Sequence, residues 1–203
     1  MKTNIKTKNN RKKTIETLTY GAILTALVVV LQLLGSFIKF GPFSVSLVLI
    51  PIVIGAAMCD KYIGAWLGFV FGLAVLLSGD AAPFMAIDVP GTIFTVLAKG
   101  TLCGFVAGLV YEWVKKLNHY VGVIAAAVVC PIVNTGIFLI GCRVFFYHTL
   151  LTWASADGYG GDFAGYLLIG FVGLNFLVEL GANIVLSPVI VRLIQAAKKI
   201  KKS

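Results

Sequence analysis

The chain has 203 residues, of which 59% are hydrophobic and only 12% charged, and its mean hydropathy is +0.97. Soluble domains carry about 25% charged residues, so this chain has too little polar surface to cover a core in water and belongs in a bilayer. Six helical spans of ~20 residues would use about 120 positions and leave no room for a separate soluble catalytic domain.

The formal net charge of +9 sits at the ends. Lys2, Lys6, Lys8, Arg11, Lys12 and Lys13 open the chain, and Arg192, Lys198, Lys199, Lys201 and Lys202 close it. Basic clusters that flank apolar runs set topology and meet anionic lipid headgroups. No nucleic-acid role is expected.

The charge-free stretches define the predicted spans in chain order. A first helix is expected over residues 17–34, within an uncharged run between Glu16 and Lys39. Its basic flank resembles a signal peptide, but the run is long, no A-x-A-like site follows, and more spans come after, so it reads as a retained helix. A second, shorter helix is expected over 46–58 and contains Pro51; a third covers 62–79. The fourth, 91–115, is interrupted by Lys99 and has Glu112 in its last turn. The fifth occupies 121–146 and the sixth 164–190, which carries Glu179. The fold class is therefore an all-α membrane protein, a single six-helix domain over residues 1–203. Residues 1–14 form a basic N-terminal segment and 196–203 a basic tail.

With six spans both termini share a side. That side gathers the terminal clusters with Lys61, Lys115 and Lys116, against only Lys39, Lys99 and Arg143 in the opposite half. The positive-inside rule makes the termini cytoplasmic. The outward loops are then 35–45, 79–90 and 147–163, which hold Asp80, Asp88, Asp157 and Asp162.

Two positive signals and two absences bear on function. Gly64, Gly68 and Gly72 repeat every four residues, as do Gly100, Gly104 and Gly108; each series lines a helix face that admits another backbone closely. Packing within the bundle explains this better than an external dimer face. Ala22 and Ala26 form a similar A-x-x-x-A near the cytoplasmic end of the first helix.

The second signal is polarity at membrane depth. Asn175, Glu179 and Asn183 share one face at i, i+4 and i+8; Asn134 and Thr135 follow Pro131, and Lys99 lies about two turns inside its helix. Charge in lipid is expensive, so these residues should face the bundle interior or an aqueous pocket. They either bind a ligand or tie helices together, for example as a Lys99–Glu179 pair. The candidate substrate-contacting residues are Lys39, Asp80, Asp88, Lys99, Asn134, Thr135, Arg143, Asn175 and Glu179.

Cys59, Cys103, Cys130 and Cys142 are widely spaced, and His119 and His148 lie apart from them. This pattern suggests neither a zinc site nor a disulfide framework; no metal or cofactor is expected. No G-x-x-x-x-G-K-[ST] occurs, so no phosphate cradle for ATP is expected. Transport would need a partner that supplies energy.

Six spans in this length, basic ends, Ala22-x-x-x-Ala26, the 46–56 stretch SLVLIPIVIGA and the 91–100 stretch GTIFTVLAKG resemble the S components of energy-coupling-factor (ECF) transporters, most of all the pantothenate group and next the riboflavin group. The resemblance implies a non-enzymatic substrate-binding subunit in a prokaryotic plasma membrane. It also implies an external vitamin as ligand, a transmembrane coupling subunit docked on Ala22 and Ala26, and two ATPase subunits. For pantothenate, Lys99 or Arg143 would neutralise the carboxylate, and Asn134, Thr135 and Asn175 would bond the amide and hydroxyls. Two other readings of the residues stay open. One is an ion-coupled secondary transporter working through Lys99 and Glu179; the other is a lipid-headgroup enzyme with a metal on Asp80 and Asp88.

Overall fold

The computed structural model describes residues 14–37 and 47–196 in full, with the backbone course of 2–13, 39–40, 43–44 and 197–200. Helices dominate: α1 (Lys2–Gly35), α2 (Leu49–Met58), α3 (Lys61–Ser78), α4 (Ala82–Met85), α5 (Val89–Val114), α6 (His119–Phe145), α7 (Tyr147–Ala156), α8 (Phe163–Gly165), a π-helical segment Tyr166–Phe171, and α9 (Gly173–Ile200). A two-residue antiparallel ladder, β1 (Lys39–Phe40) with β2 (Phe43–Ser44), sits between α1 and α2.

Among the described residues, five helices are long and apolar enough to cross a membrane: Thr14–Gly35 of α1, α3, α5, α6 and Gly173–Ala196 of α9. The chain is a multi-pass membrane protein. Helix α2, the expected second span, has only ten residues. At 1.5 Å per residue it extends ~15 Å, about half of the hydrocarbon layer. Nearly all of it is buried, from Leu49 through Ala57. Such a helix packs inside the bundle and need not present its ends to both interfaces.

Local chemistry sets the starts of the spans. The Asp60 carboxylate accepts from the Tyr62 and Ile63 amides, each at 2.8 Å, and so caps α3. Asn118 does the same for α6 through Tyr120 and Val121. Side-chain oxygens at these positions satisfy amides that the first helical turn leaves without partners. Gly79, at φ 82°, ends α3 in the left-handed conformation that glycine tolerates.

The two glycine series meet each other. Helices α3 and α5 run antiparallel, with Gly64 against Gly104, Gly68 against Gly100, and Gly72 against Val96 and Leu97. A Cβ on Gly64 would stand 2.6 Å from the Gly104 carbonyl oxygen, and one on Gly68 would collide outright with that of Gly100. At Gly108 the neighbour is the Lys61 backbone. In lipid, helix association rests on this kind of close packing, since lipid tails are as apolar as leucine. One core cluster fills the space among α1, α2, α3, α5, α6 and α9, around Val28, Ile52, Leu67, Cys103, Ala126 and Ile194. Another, aromatic cluster lies at the loop-rich end, around Phe84, Phe138, Phe146, Tyr166 and Phe171. The outward faces of the spans stay apolar: Ile23, Leu77, Phe94, Ile140 and Val185 are all exposed.

Two expectations change. The segment 147–163, read as loop, holds α7, which buries Leu150 and Ala154 one turn apart. Only the glycine-rich end remains a turn, with Gly158, Gly160 and Gly161 at positive φ. The sixth span, expected unbroken over 164–190, begins as α8 and the π segment, and its regular α-helix starts only at Gly173. Gly173 is where the two parts meet closely: a Cβ there would strike the Leu168 carbonyl.

The glycine seam is testable by substitution. Gly68→Val should cost at least ~2–3 kcal/mol, because overpacking here meets backbone and not a movable side chain. Gly136→Ala, where a Cβ meets nothing within 4 Å, should gain ~0.5–1 kcal/mol from the lost chain entropy of glycine. Thermal unfolding in detergent measures both; equal effects would contradict the seam.

Candidate functional site

At the end of the bundle away from the termini, α1, α3, α5, α6 and α9 enclose a cavity. Three of these helices contribute polar groups at neighbouring positions. Helix α5 presents Thr92, Thr95 and Lys99 on one stripe; α6 adds Asn134 and Thr135; α9 adds Asn175 and Glu179 one turn apart. Gln32 of α1 and Asp80 of the α3–α4 turn close the rim, and the Gln32 amide donates to the Asp80 carboxylate at 2.7 Å. The remaining wall is apolar, with Phe71, Phe84, Phe138 and Phe146 beside Val75, Ala81, Val96 and Val172.

Lys99 is the cation of this cavity. Its Nζ stands 5.7 Å from the Phe71 ring centre and 5.3 Å from that of Phe138. Cation–π contact of this kind offsets part of the cost of removing an ammonium from water. The ion pair found among the described residues is elsewhere, between Lys61 and Glu112 at 3.2 Å. Glu179 acts on Lys99 through its field from a longer distance. The Glu179 carboxylate accepts from the Asn175 amide at 3.3 Å, and its backbone carbonyl accepts from Asn183 at 2.9 Å. Thus the two residues face one cavity without forming the close pair that the sequence left open.

Three polar atoms in the lining are buried without a hydrogen-bond partner: Thr95 Oγ1, Asn134 Oδ1 and Asn175 Oδ1. Each such group costs about 1–3 kcal/mol when left unsatisfied. Clustered in one cavity, they are free to accept hydrogen bonds from a molecule that enters it.

Of the residues singled out from sequence, the cavity brings together Asp80, Lys99, Asn134, Thr135, Asn175 and Glu179. Asp88 has a local duty instead: its side chain caps α5 by accepting from the Gly91 amide at 3.2 Å. Arg143 is exposed and stacks 4.2 Å over the Tyr147 ring. Lys39 lies outside the residues whose side chains are described. Ala22 and Ala26 are exposed on α1, on the face opposite to buried Gly21, Leu24 and Val28, so they do not pack inside this bundle. Sequence reasoning missed Gln32, Thr92 and Thr95. The threonines lie seven and four positions before Lys99 on its own face, a spacing that would have found them.

A family model for the substrate-specific component of ECF transporters matches residues 16–191. The pantothenic acid transporter PanT of Lactococcus lactis subsp. cremoris (strain MG1363) is 28% identical over 194 residues, covering 87% of this chain and 92% of that protein. No solved structure matches the chain.

The unpartnered atoms generate a stability test. Thr95→Val and Asn134→Leu remove an unsatisfied buried group, so the ligand-free protein should keep its stability or gain up to ~1 kcal/mol. Thermal unfolding without ligand measures this. A loss above ~2 kcal/mol for both would mean that these atoms serve the fold.

Proposed function

Because this chain belongs to the substrate-specific components of ECF transporters, we propose that it captures pantothenate outside a prokaryotic cell and delivers it through an ATP-driven coupling module. Membership makes it a substrate-binding transporter subunit and not an enzyme. ATP hydrolysis falls to two ATPase subunits, joined through a transmembrane coupling subunit.

The observation that carries the substrate is the cavity's chemistry. Pantothenate has a carboxylate at one end, an amide in the middle and two hydroxyls beyond. Lys99 supplies the positive charge for the carboxylate. The orphan oxygens of Thr95, Asn134 and Asn175 take hydrogen bonds from the amide N–H and the hydroxyls, with Thr135 beside them, while the phenylalanines cover the methyl groups. The similarity to a pantothenic acid transporter supports the same assignment. Riboflavin is the second reading, favoured by the four-phenylalanine wall, against which a flavin ring would stack. Asp80 and Glu179 complete the polar lining. Lys39 and Arg143 would meet the approaching ligand at the loop-rich end, where Asp88 caps α5.

The bundle spans the membrane with α2 as a sixth, half-length element and both termini in the cytoplasm, where the basic segments meet anionic lipid. The loop-rich end then faces outward, as capture requires. The exposed small-residue face of α1 at Ala22 and Ala26 leaves room for a helix of the coupling subunit.

Two kinds of variant should separate capture from delivery. Lys99→Ala removes a charge-assisted bond worth ~1.5–3 kcal/mol, so pantothenate affinity should fall about tenfold or more. Ala22→Trp with Ala26→Trp should keep that affinity but lose uptake and co-purification with the coupling subunit. Calorimetry on the purified chain and uptake into cells provide the readouts. Unchanged affinity in Lys99→Ala, or normal uptake with both tryptophans, contradicts the corresponding half of the proposal.

A further inference from the structure

A second cleft adjoins the cavity at the loop-rich end. It lies between α4, α7 and the π-helical segment, and Pro83, Trp153, Asp157, Tyr166 and Phe171 form much of its wall. One residue lines both spaces: Phe84. Its ring is 5.4 Å from Phe138 and 5.0 Å from Phe146 on the cavity side, and 6.1 Å from Phe171 on the cleft side, measured between centroids. Phe84 is therefore the shared wall.

Exposure differs across that wall. Every residue lining the inner cavity is buried or half-buried, whereas Pro83, Ala156, Asp157 and Gly170 of the outer cleft are exposed. Among the described residues, the cleft opens to the surroundings and the polar cavity lies behind it.

The elements around Phe84 are short. Helix α4 has four residues, follows the Gly79 turn and is tethered to α1 through Asp80 and Gln32. Facing it, the π segment departs from regular helix, a geometry that recurs at functional sites. Tyr159 presses on that segment, since a Cβ at Gly170 would stand 2.6 Å from its hydroxyl. The rim of the cleft is thus built from defined contacts, and the Phe84 ring stands between the cleft and the inner cavity.

We propose that the outer aromatic cleft is a docking station for the substrate on its way to the inner cavity, and that rotation of the Phe84 ring opens the partition between them. The inference rests on the functional reading above, with the same vitamin as cargo. The cleft offers aromatic faces for first contact, and the carboxylate of Asp157 at its mouth disfavours prolonged residence of an anionic ligand. Transfer past Phe84 then exchanges the aromatic faces for Lys99 and the unpartnered oxygens.

Stopped-flow mixing of the full-length protein with pantothenate, and separately riboflavin, tests this. Trp153 in the cleft is the reporter once Trp66 and Trp113 are replaced by Phe. Two phases are expected: a fast one that scales with vitamin concentration, and a slower one that saturates. Phe84→Leu should speed the slow phase and Phe84→Trp should slow it, each by about tenfold. Ala156→Trp, which fills the cleft, should slow the fast phase alone. Opposite responses to ring size do not follow from general destabilisation, and the tryptophan variant serves if the leucine variant folds poorly. A single phase in the parent protein, or a slow phase indifferent to both Phe84 variants, overturns the partition while leaving capture intact. A parent protein that binds neither vitamin overturns the functional reading and this inference together.

Discussion

The carbonyl oxygens of Gly100 and Gly104 lie against the backbone of Gly68 and Gly64, and the rest of the bundle is arranged around that contact. A bilayer gives helices no hydrophobic reason to associate, so close packing has to supply the attraction. The seam runs from Gly108 at Lys61 to Gly72 at Val96 and Leu97. Toward the loop-rich end the facing side chains grow larger, and the polar cavity opens among Phe71, Val75, Thr92, Thr95 and Lys99. Side chains that would otherwise meet lipid are turned inward by helices that the seam holds in register. Helix α2, too short to cross, is tolerated because α3 and α5 surround it with protein.

The same constraint explains the chemistry of the cavity. An unsatisfied oxygen in a low-dielectric interior is costly, and three of them share this one lining. A ligand with matching donors regains that energy on binding, which raises affinity without new apolar surface. A single cation held over two phenylalanine faces adds selectivity for an anion. Carboxylates nearby are bonded to amides, Asp80 to Gln32 and Glu179 to Asn175, so Lys99 is not consumed by a close ion pair.

Much of this was legible in the sequence, because polarity stands out against an apolar background. Lys99, Asn134 and the Asn175–Glu179 pair were visible as interruptions of hydrophobic runs, and both glycine series were visible as period-four repeats. Thr92 and Thr95 were not, since threonine is common in apolar helices and only the position of Lys99 marks their face. Phe71, Phe138 and Phe146 of the aromatic wall were hidden for a different reason: a phenylalanine facing lipid and one facing a cavity look alike in composition. Charged residues near helix ends carry a more ambiguous signal. Asp88 and Arg143 carry charge at the right depth, yet one caps a helix and the other stacks on a tyrosine. Helix α7 and the π segment were missed because their order comes from burying Leu150, Ala154, Tyr166 and Phe171 against α4 and α6, a tertiary effect with weak local periodicity.

Capture of an anionic vitamin by this cavity is the central claim, and native mass spectrometry of the purified protein tests it most directly. A one-to-one adduct with the mass of pantothenate is expected, exchanging with added isotope-labelled pantothenate and much weaker in the Lys99→Ala protein. An adduct of riboflavin mass would reassign the substrate. No adduct with either vitamin, even when they are supplied in excess to folded protein, would contradict the account.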